Sequence, residues 1–279
     1  MRKKKIKLRY KKERVVFSDV LPYELPFIFT NRYFYRFLVK NEITINGSKV
    51  LRWKEGIHKG ALAILALLSQ YEGRQLKGRT EIEIQKRLVT IPFHYAIKHK
   101  ETSNRRLSVV HPLNQIQMVD FYNQYKNTLL YMCGKSHFSI RYPNKVACYF
   151  YYKDRLHSTL LGKKSDKLEI YFSEYENMKT FFSYKKYPNI YKFYEDYRYQ
   201  RAEKKYQHLL KFDIQGCFDN IYTHSIAWAV NGGMNAYKDH FEGEDDSFAS
   251  RWDKIMQYLN YNETNGIVIG PEFSRIFAE

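Results

Sequence analysis

Leu209-Leu-Lys-Phe-Asp213-Ile-Gln-Gly216-Cys217-Phe218-Asp219-Asn220-Ile-Tyr222 is the stretch on which the reading of this chain turns. An apolar run ends in Asp213, and a tight turn containing Gly216 follows. Asp219 or Asn220 suits the N-cap of a helix running through Trp228. The pattern predicts a strand that delivers a carboxylate at its tip, beside a turn with free backbone N–H groups. Such a carboxylate holds Mg²⁺, and such N–H groups face phosphate oxygens. The same pattern also describes an ordinary capping aspartate at a strand-to-helix turn. The segment alone leaves both readings open.

Two further segments extend the pattern. Asn265-Gly266-Ile-Val-Ile269-Gly270-Pro271-Glu-Phe-Ser274-Arg275 reads as a glycine-rich loop entering a helix. Gly270 lets a backbone approach closely without a Cβ, and Pro271 suits a first helical turn. Upstream, Lys100-Glu-Thr-Ser-Asn-Arg105-Arg106 is a cationic stretch leading into Leu-Ser-Val-Val110 and closed by His111-Pro112. A guanidinium fork matches phosphate oxygens bidentately. As isolated charges, Lys100, Arg105 and Arg106 equally describe a solvated surface.

Composition narrows the partners. The 279 residues carry a formal net charge of +18, which implies a polyanion, either nucleic acid or an anionic membrane. The longest apolar run, Gly60 to Leu68, is about nine residues and is too short to span a bilayer. That favours nucleic acid and no membrane. The basic N-terminus is followed by no apolar segment of the kind a secretory signal needs. Cys133, Cys148 and Cys217 are scattered without CxxC spacing, which fits a reducing cytoplasm and no zinc or disulfide framework. There are 26 Tyr and 19 Phe, often beside Lys or Arg. Cations neutralise phosphates and rings offer faces to bases, although many of these rings are equally explained as core.

Periodicity supplies the rest. Residues 1–14 hold nine Lys or Arg, and Lys5 to Lys11 alternates as a strand does. Lys3, Lys5, Lys7 and Arg9 would then face phosphates; a disordered basic tail is the alternative. Leu21 to Pro26 breaks regular structure. Asn31–Lys40 reads as a helix, and Asn46-Gly47 as a hairpin turn. Ala61–Tyr71 reads as a buried helix, Gln115–Met132 as a second and Ile190–Leu210 as one long, Tyr-rich helix. Residues 80–97 are strand-like, 98–104 a polar loop and Arg105–Val110 a short strand. Phe138–Arg141 and Val146–Tyr152 read as strands around a turn at Tyr142-Pro143-Asn144. The acidic stretch Glu242 to Asp246 reads as a solvated loop.

Taken in order, the segment at Asp213 resembles motif A of reverse transcriptases, an Asp followed by four residues and an aromatic. The Gly270 segment resembles their motif B. The resemblance implies an α/β (α+β) right-hand polymerase: a basic extension over 1–44, fingers over 45–208 and a partial palm over 209–279. It implies that Asp213 and Ile214 hold Mg²⁺. Lys100, Arg105, Arg106, Gly216, Cys217, Phe218 and Gly270 would contact a dNTP, with Phe218 excluding a 2′-hydroxyl. Ile269 departs from the pattern, since many reverse transcriptases carry Gln there.

Phe138 to Ala147, Leu21 to Pro26 and the Phe181–Tyr194 stretch resemble the abortive-infection and phage-defence branch. Within it the chain is most similar to the b-type subunits of two-enzyme, type 3 systems. That branch implies a structured noncoding RNA, a DNA product, a partner reverse transcriptase and an oligomeric complex, with Arg141 and Lys145 among the nucleic-acid contacts. Motif C, an aromatic-x-Asp-Asp hairpin, does not occur in the chain and neither does a thumb. The expectation is therefore a piece of a longer polymerase, inactive alone. A non-catalytic RNA-binding scaffold and an RNA polymerase of the same palm family are the rivals.

Overall fold

The computed structural model describes residues 4–18, 29–46, 49–84, 88–99, 101–136, 138–152, 181–184, 187, 190–240 and 247–279. Lys3, Lys100, Gly47, the Leu21–Pro26 segment and the acidic stretch from Glu242 to Asp246 lie outside them. The fold is α+β: among the described residues, helices surround four small antiparallel sheets.

The organising element is a helix over Pro112–Cys133 (α5). Among the described residues four α-helices precede it, at Val15–Ser18 (α1), Arg32–Asn41 (α2), Lys59–Ser69 (α3) and Gly73–Leu76 (α4). Pro112 starts α5, where a missing N–H costs nothing, and the His111 ring accepts the Leu113 N–H at 3.2 Å. Its 22 residues give a rod of about 33 Å. Phe121 and Tyr122 on this rod are fully buried. Phe121 meets Trp252 at 5.6 Å and Phe273 at 5.8 Å, and Tyr122 meets Phe182 at 5.2 Å. Rings at these separations and tilts add packing specificity to the area they bury.

Trp252 lies on a helix over Phe248–Leu259, whose Ala249, Trp252, Ile255, Met256 and Leu259 are buried at helical spacing. Ser247 caps it by accepting the Ser250 N–H at 3.1 Å. Phe273 lies on the last helix, Glu272–Ala278. Val15, Leu38, Leu51, Phe121, Trp252 and Phe273 share one core, so all three expected regions of the chain contribute to it.

The described strands form small sheets, some of them between distant parts of the chain. β1 (Lys4–Lys7) pairs with Tyr149–Tyr152, so the basic N-terminus is a strand over those residues. Thr44–Asn46 (β2), Val50–Arg52 (β3) and Glu81–Glu83 (β4) form a three-stranded sheet. β5 (Phe93–Lys98) and β6 (Asn104–Val109) form a hairpin. Pro143–Val146 (β7) pairs with Phe182–Tyr184, and Tyr149–Tyr152 is β8.

Several sequence expectations are corrected. Leu209 to Asp213 is not a strand: residues 207–214 have no regular structure, and Leu209, Leu210, Phe212 and Ile214 are 62–84% exposed. An apolar run becomes a strand when other strands pair with it, and here none of the described strands does. The helix expected over Ile190–Leu210 is two, α6 (Ile190–Tyr194) and α7 (Tyr197–Lys205), divided where Asp196 accepts the Arg198 N–H at 2.8 Å and caps the second. Phe138–Arg141 is bent backbone, and the strand begins within the expected turn, at Pro143. Helix α3 buries only Leu65, Ala66 and Ser69 and leaves Leu67 exposed, so its apolar run is a surface helix with one inward stripe.

Candidate nucleotide-binding site

The turn after Asp213 is built by Gly216. Its φ of +63° is a left-handed conformation that favours glycine. The Cys217 N–H closes the turn onto the Ile214 carbonyl at 3.3 Å, and the Asn220 side chain donates to the Gly216 carbonyl at 2.8 Å. Asn220 is therefore spent on the turn and does not cap the following helix. That helix (α8, Ser225–Val230) starts later, with His224 before it. Phe218 is half-buried against the core, in a short 3₁₀ turn over Phe218–Asn220.

The glycine-rich loop holds this turn. The Ile267 N–H donates to the Phe218 carbonyl at 2.8 Å and the Gly266 N–H to the Ile221 carbonyl at 2.9 Å. Tyr222 and Asn265 form an antiparallel bridge. A Cβ on Gly266 would sit 2.9 Å from the Asp219 carbonyl oxygen, closer than real Cβ atoms come, and its φ is +85°.

The same loop holds β6 on its other side. The Ser108 N–H donates to the Ile269 carbonyl at 2.8 Å. A Cβ on Gly270, at φ +123°, would meet the Ser108 carbonyl oxygen at 3.1 Å. Arg106 is two residues away from Ser108, about 7 Å along the strand, and both Arg105 and Arg106 are exposed. One loop thus joins residues 218–223, which directly follow the Gly216 turn, to the arginine-bearing hairpin, each through backbone bonds and a glycine pressed against a carbonyl.

The remaining expected residues fall as follows. Asp213 and its neighbour Asp219 are exposed. The only Ile214 group with ligand chemistry, its carbonyl, accepts from Cys217 and retains a second lone pair. Cys217 is a half-buried free thiol. Lys7, Arg9 and Lys145 are exposed, and for Lys5 only the backbone in β1 is described. Lys145 lies over the Tyr149 ring at 5.2 Å, and Arg141 over the Tyr184 ring at 5.1 Å. Neither is drawn into the loop cluster. Arg14 of the basic N-terminus is buried and donates to the Ala147 carbonyl at 2.9 Å, so this charge is structural.

Mg²⁺ is commonly held by one or two carboxylates completed by substrate phosphates. An exposed Asp213 beside a glycine turn fits that mode. Among the described residues no group of three or more His, Cys, Asp or Glu side chains is placed to hold a metal by itself.

Some residues of the cluster have no signal in the sequence. His94 on β5 bonds Ser108 Oγ through Nδ1 at 2.8 Å and meets the Tyr261 hydroxyl through Nε2 at 3.3 Å. It ties the hairpin to the loop before Gly266. Burial first, and then the charge of Arg106, hold its pKa below the usual imidazole value. His224 Nδ1 contacts Asp253 at 2.5 Å, and Gln257 donates to the other carboxylate oxygen at 2.8 Å, linking α8 to the Phe248–Leu259 helix. Partners this far apart in sequence leave no spacing to read. Gly266 does carry a signal, as a glycine directly after an asparagine in a polar-to-apolar transition.

The chain matches no protein-family model, and no curated protein matches it. Among the described residues no helix is long and apolar enough to cross a membrane.

Proposed function

We propose that this chain is part of a nucleotidyltransferase of the reverse-transcriptase type, with a right-hand polymerase fold, that adds dNTPs to a DNA 3′ end. The observation that carries the reading is the double attachment of the glycine loop, to the segment that follows Asp213 through Phe218 and Ile221 and to the Arg105–Arg106 strand through Ser108. Sequence likeness alone could scatter these three segments over the molecule; phosphoryl transfer needs them together. The transfer is catalysed by positioning and charge neutralisation, which calls for carboxylates, cations and close backbone approach at one place.

In this reading Asp213 is the metal-holding carboxylate, Arg105 and Arg106 take phosphate oxygens, and Phe218 limits the sugar. Mg²⁺ supplies charge neutralisation at the triphosphate. A single carboxylate is too few for two metals, so the complete enzyme needs further carboxylates beside Leu209–Asp213. The phage-defence role, the structured RNA, the partner reverse transcriptase, the oligomeric complex and the cytoplasmic location belong to the same proposal. The test is dNTP incorporation by the complete protein in Mg²⁺, with and without Asp213→Ala. Synthesis that survives the substitution removes the reading. Phe218→Ala should admit ribonucleotides, and unchanged sugar selectivity removes its assignment.

A second reading is a non-catalytic RNA-binding scaffold. Ile269 favours it, because its side chain offers an incoming nucleotide no hydrogen bond. RNA binding without any nucleotide incorporation by the complete protein supports that alternative.

A further inference from the structure

We infer that α6 and α7 form a second nucleic-acid surface, one that binds single strands by stacking bases on tyrosine rings. None of its residues belongs to the glycine-loop cluster. Neither helix has a buried residue, and the core includes none of residues 190–206. A helix so poor in buried groups contributes little to its own fold. Rings hold the pair: Phe193 meets Tyr199 at 5.1 Å, Tyr194 meets Tyr199 edge-on at 5.0 Å, and the buried Tyr187 meets Phe193 at 5.4 Å and donates to Asp196 at 2.7 Å.

Three other tyrosines turn their surface to solvent: Tyr191, Tyr197 and Tyr206 are 53%, 65% and 60% exposed. Each has a cation over its ring: Lys192 at 5.6 Å, Arg198 at 6.0 Å and Lys205 at 5.1 Å. Lys211, two residues before Asp213, lies over Tyr194 at 5.2 Å and joins the surface to the Asp213 segment. Residues 190–211 carry six Lys or Arg against three Asp or Glu. Exposed rings alternating with cations on a net positive surface fit a polyanion that also presents flat apolar faces. Single-stranded nucleic acid does both. Duplex hides its base faces, and an anionic lipid surface offers charge and an interfacial layer but no flat faces on which rings stack. Stacking and phosphate neutralisation do not read the sugar, so RNA and DNA single strands are bound alike.

The test is fluorescence anisotropy of the full chain with labelled mixed-sequence 12-mers of DNA and of RNA, without nucleotides. Tyr191→Ala, Tyr197→Ala and Tyr206→Ala combined should weaken both by at least roughly tenfold, the scale of a single abolished stack. The three Tyr→Phe changes should restore affinity, because a ring and not a hydroxyl is needed. Arg198→Gln with Lys205→Gln should flatten the salt dependence by about 0.7 in slope for each phosphate no longer neutralised. A loss under tenfold in the Ala variant overturns the inference. So does failure of the Phe variant to rescue, or competition by duplex or by anionic vesicles as strong as by single strands. Binding is read without Mg²⁺ or nucleotides, so absent synthesis and absent stacking remain separate results.

Discussion

Two neighbouring regions of the site are built in opposite ways. The loop from Thr264 to Gly270 is bonded along both sides, to residues 218–223 and to Ser108, and its glycines touch backbone carbonyls. The segment from Gln207 to Ile214 has no regular structure, and its apolar side chains stand in solvent. The first region is specified by close packing, so almost any added atom disturbs it. The second carries the exposed carboxylate on backbone that its neighbours scarcely constrain. If the proposed reading holds, the glycine loop is the pre-organised half of the site and the exposed Asp213 half is completed by a cover. In the proposed reading, that cover is a further carboxylate-bearing strand together with the substrate.

The sharpest way to break this contrast is Asp213→Ala. An exposed side chain contributes little to stability, so the thermal midpoint should move by the equivalent of at most about 0.5 kcal/mol. Nucleotide incorporation by the complete protein should fall by roughly a thousandfold or more. A stability loss with activity retained would invert the assignment. Next in size is the loop itself. Gly266→Ala, with its Cβ forced against the Asp219 oxygen, should cost about 2–3 kcal/mol, and Gly270→Ala about 1–2 kcal/mol, in urea denaturation. If both are neutral, the loop is not a clamp.

A smaller effect is expected at His94. Its folded-state pKa lies below the unfolded value, so the folded state resists protonation. The stability tied to its neutral ring is present above about pH 6.5 and is lost as pH falls below that. The thermal midpoint of the parent should therefore fall more between about pH 7.5 and 5.5 than that of His94→Gln. Equal slopes would show that the hairpin bolt does not titrate. The smallest effect belongs to the free segment. Phe212→Ser should change stability by less than about 0.5 kcal/mol. A large loss in solution would mean that Phe212 is covered there.

Much of the molecule is legible in the sequence because local rules dictate it. The 3.6-residue spacing of Gln115–Met132 and the proline before it announce α5, and strand-like residues on either side of the polar loop at 98–104 announce the β5–β6 hairpin. Gly216 and Gly270 stand out for their backbone freedom, and both take positive φ. The Phe248–Leu259 helix is absent from the expectations, although its serine cap and apolar spacing follow the same local rules.

Other features depend on partners that sequence order does not supply. The Leu209–Asp213 run reads as a strand, yet an apolar pattern states only which face wants burial and not whether a neighbour provides it. The break at Asp196 is hidden because tyrosines and charges satisfy a helix and a cap alike. By itself, the sequence determined the glycines of the loop, the net charge and the long helix α5 at the centre of the core. Tertiary structure alone decided that the glycine loop binds residues 218–223 on one side and the arginine strand on the other. The physical reason is that these attachments are backbone hydrogen bonds, which every residue but proline offers and no side-chain pattern encodes.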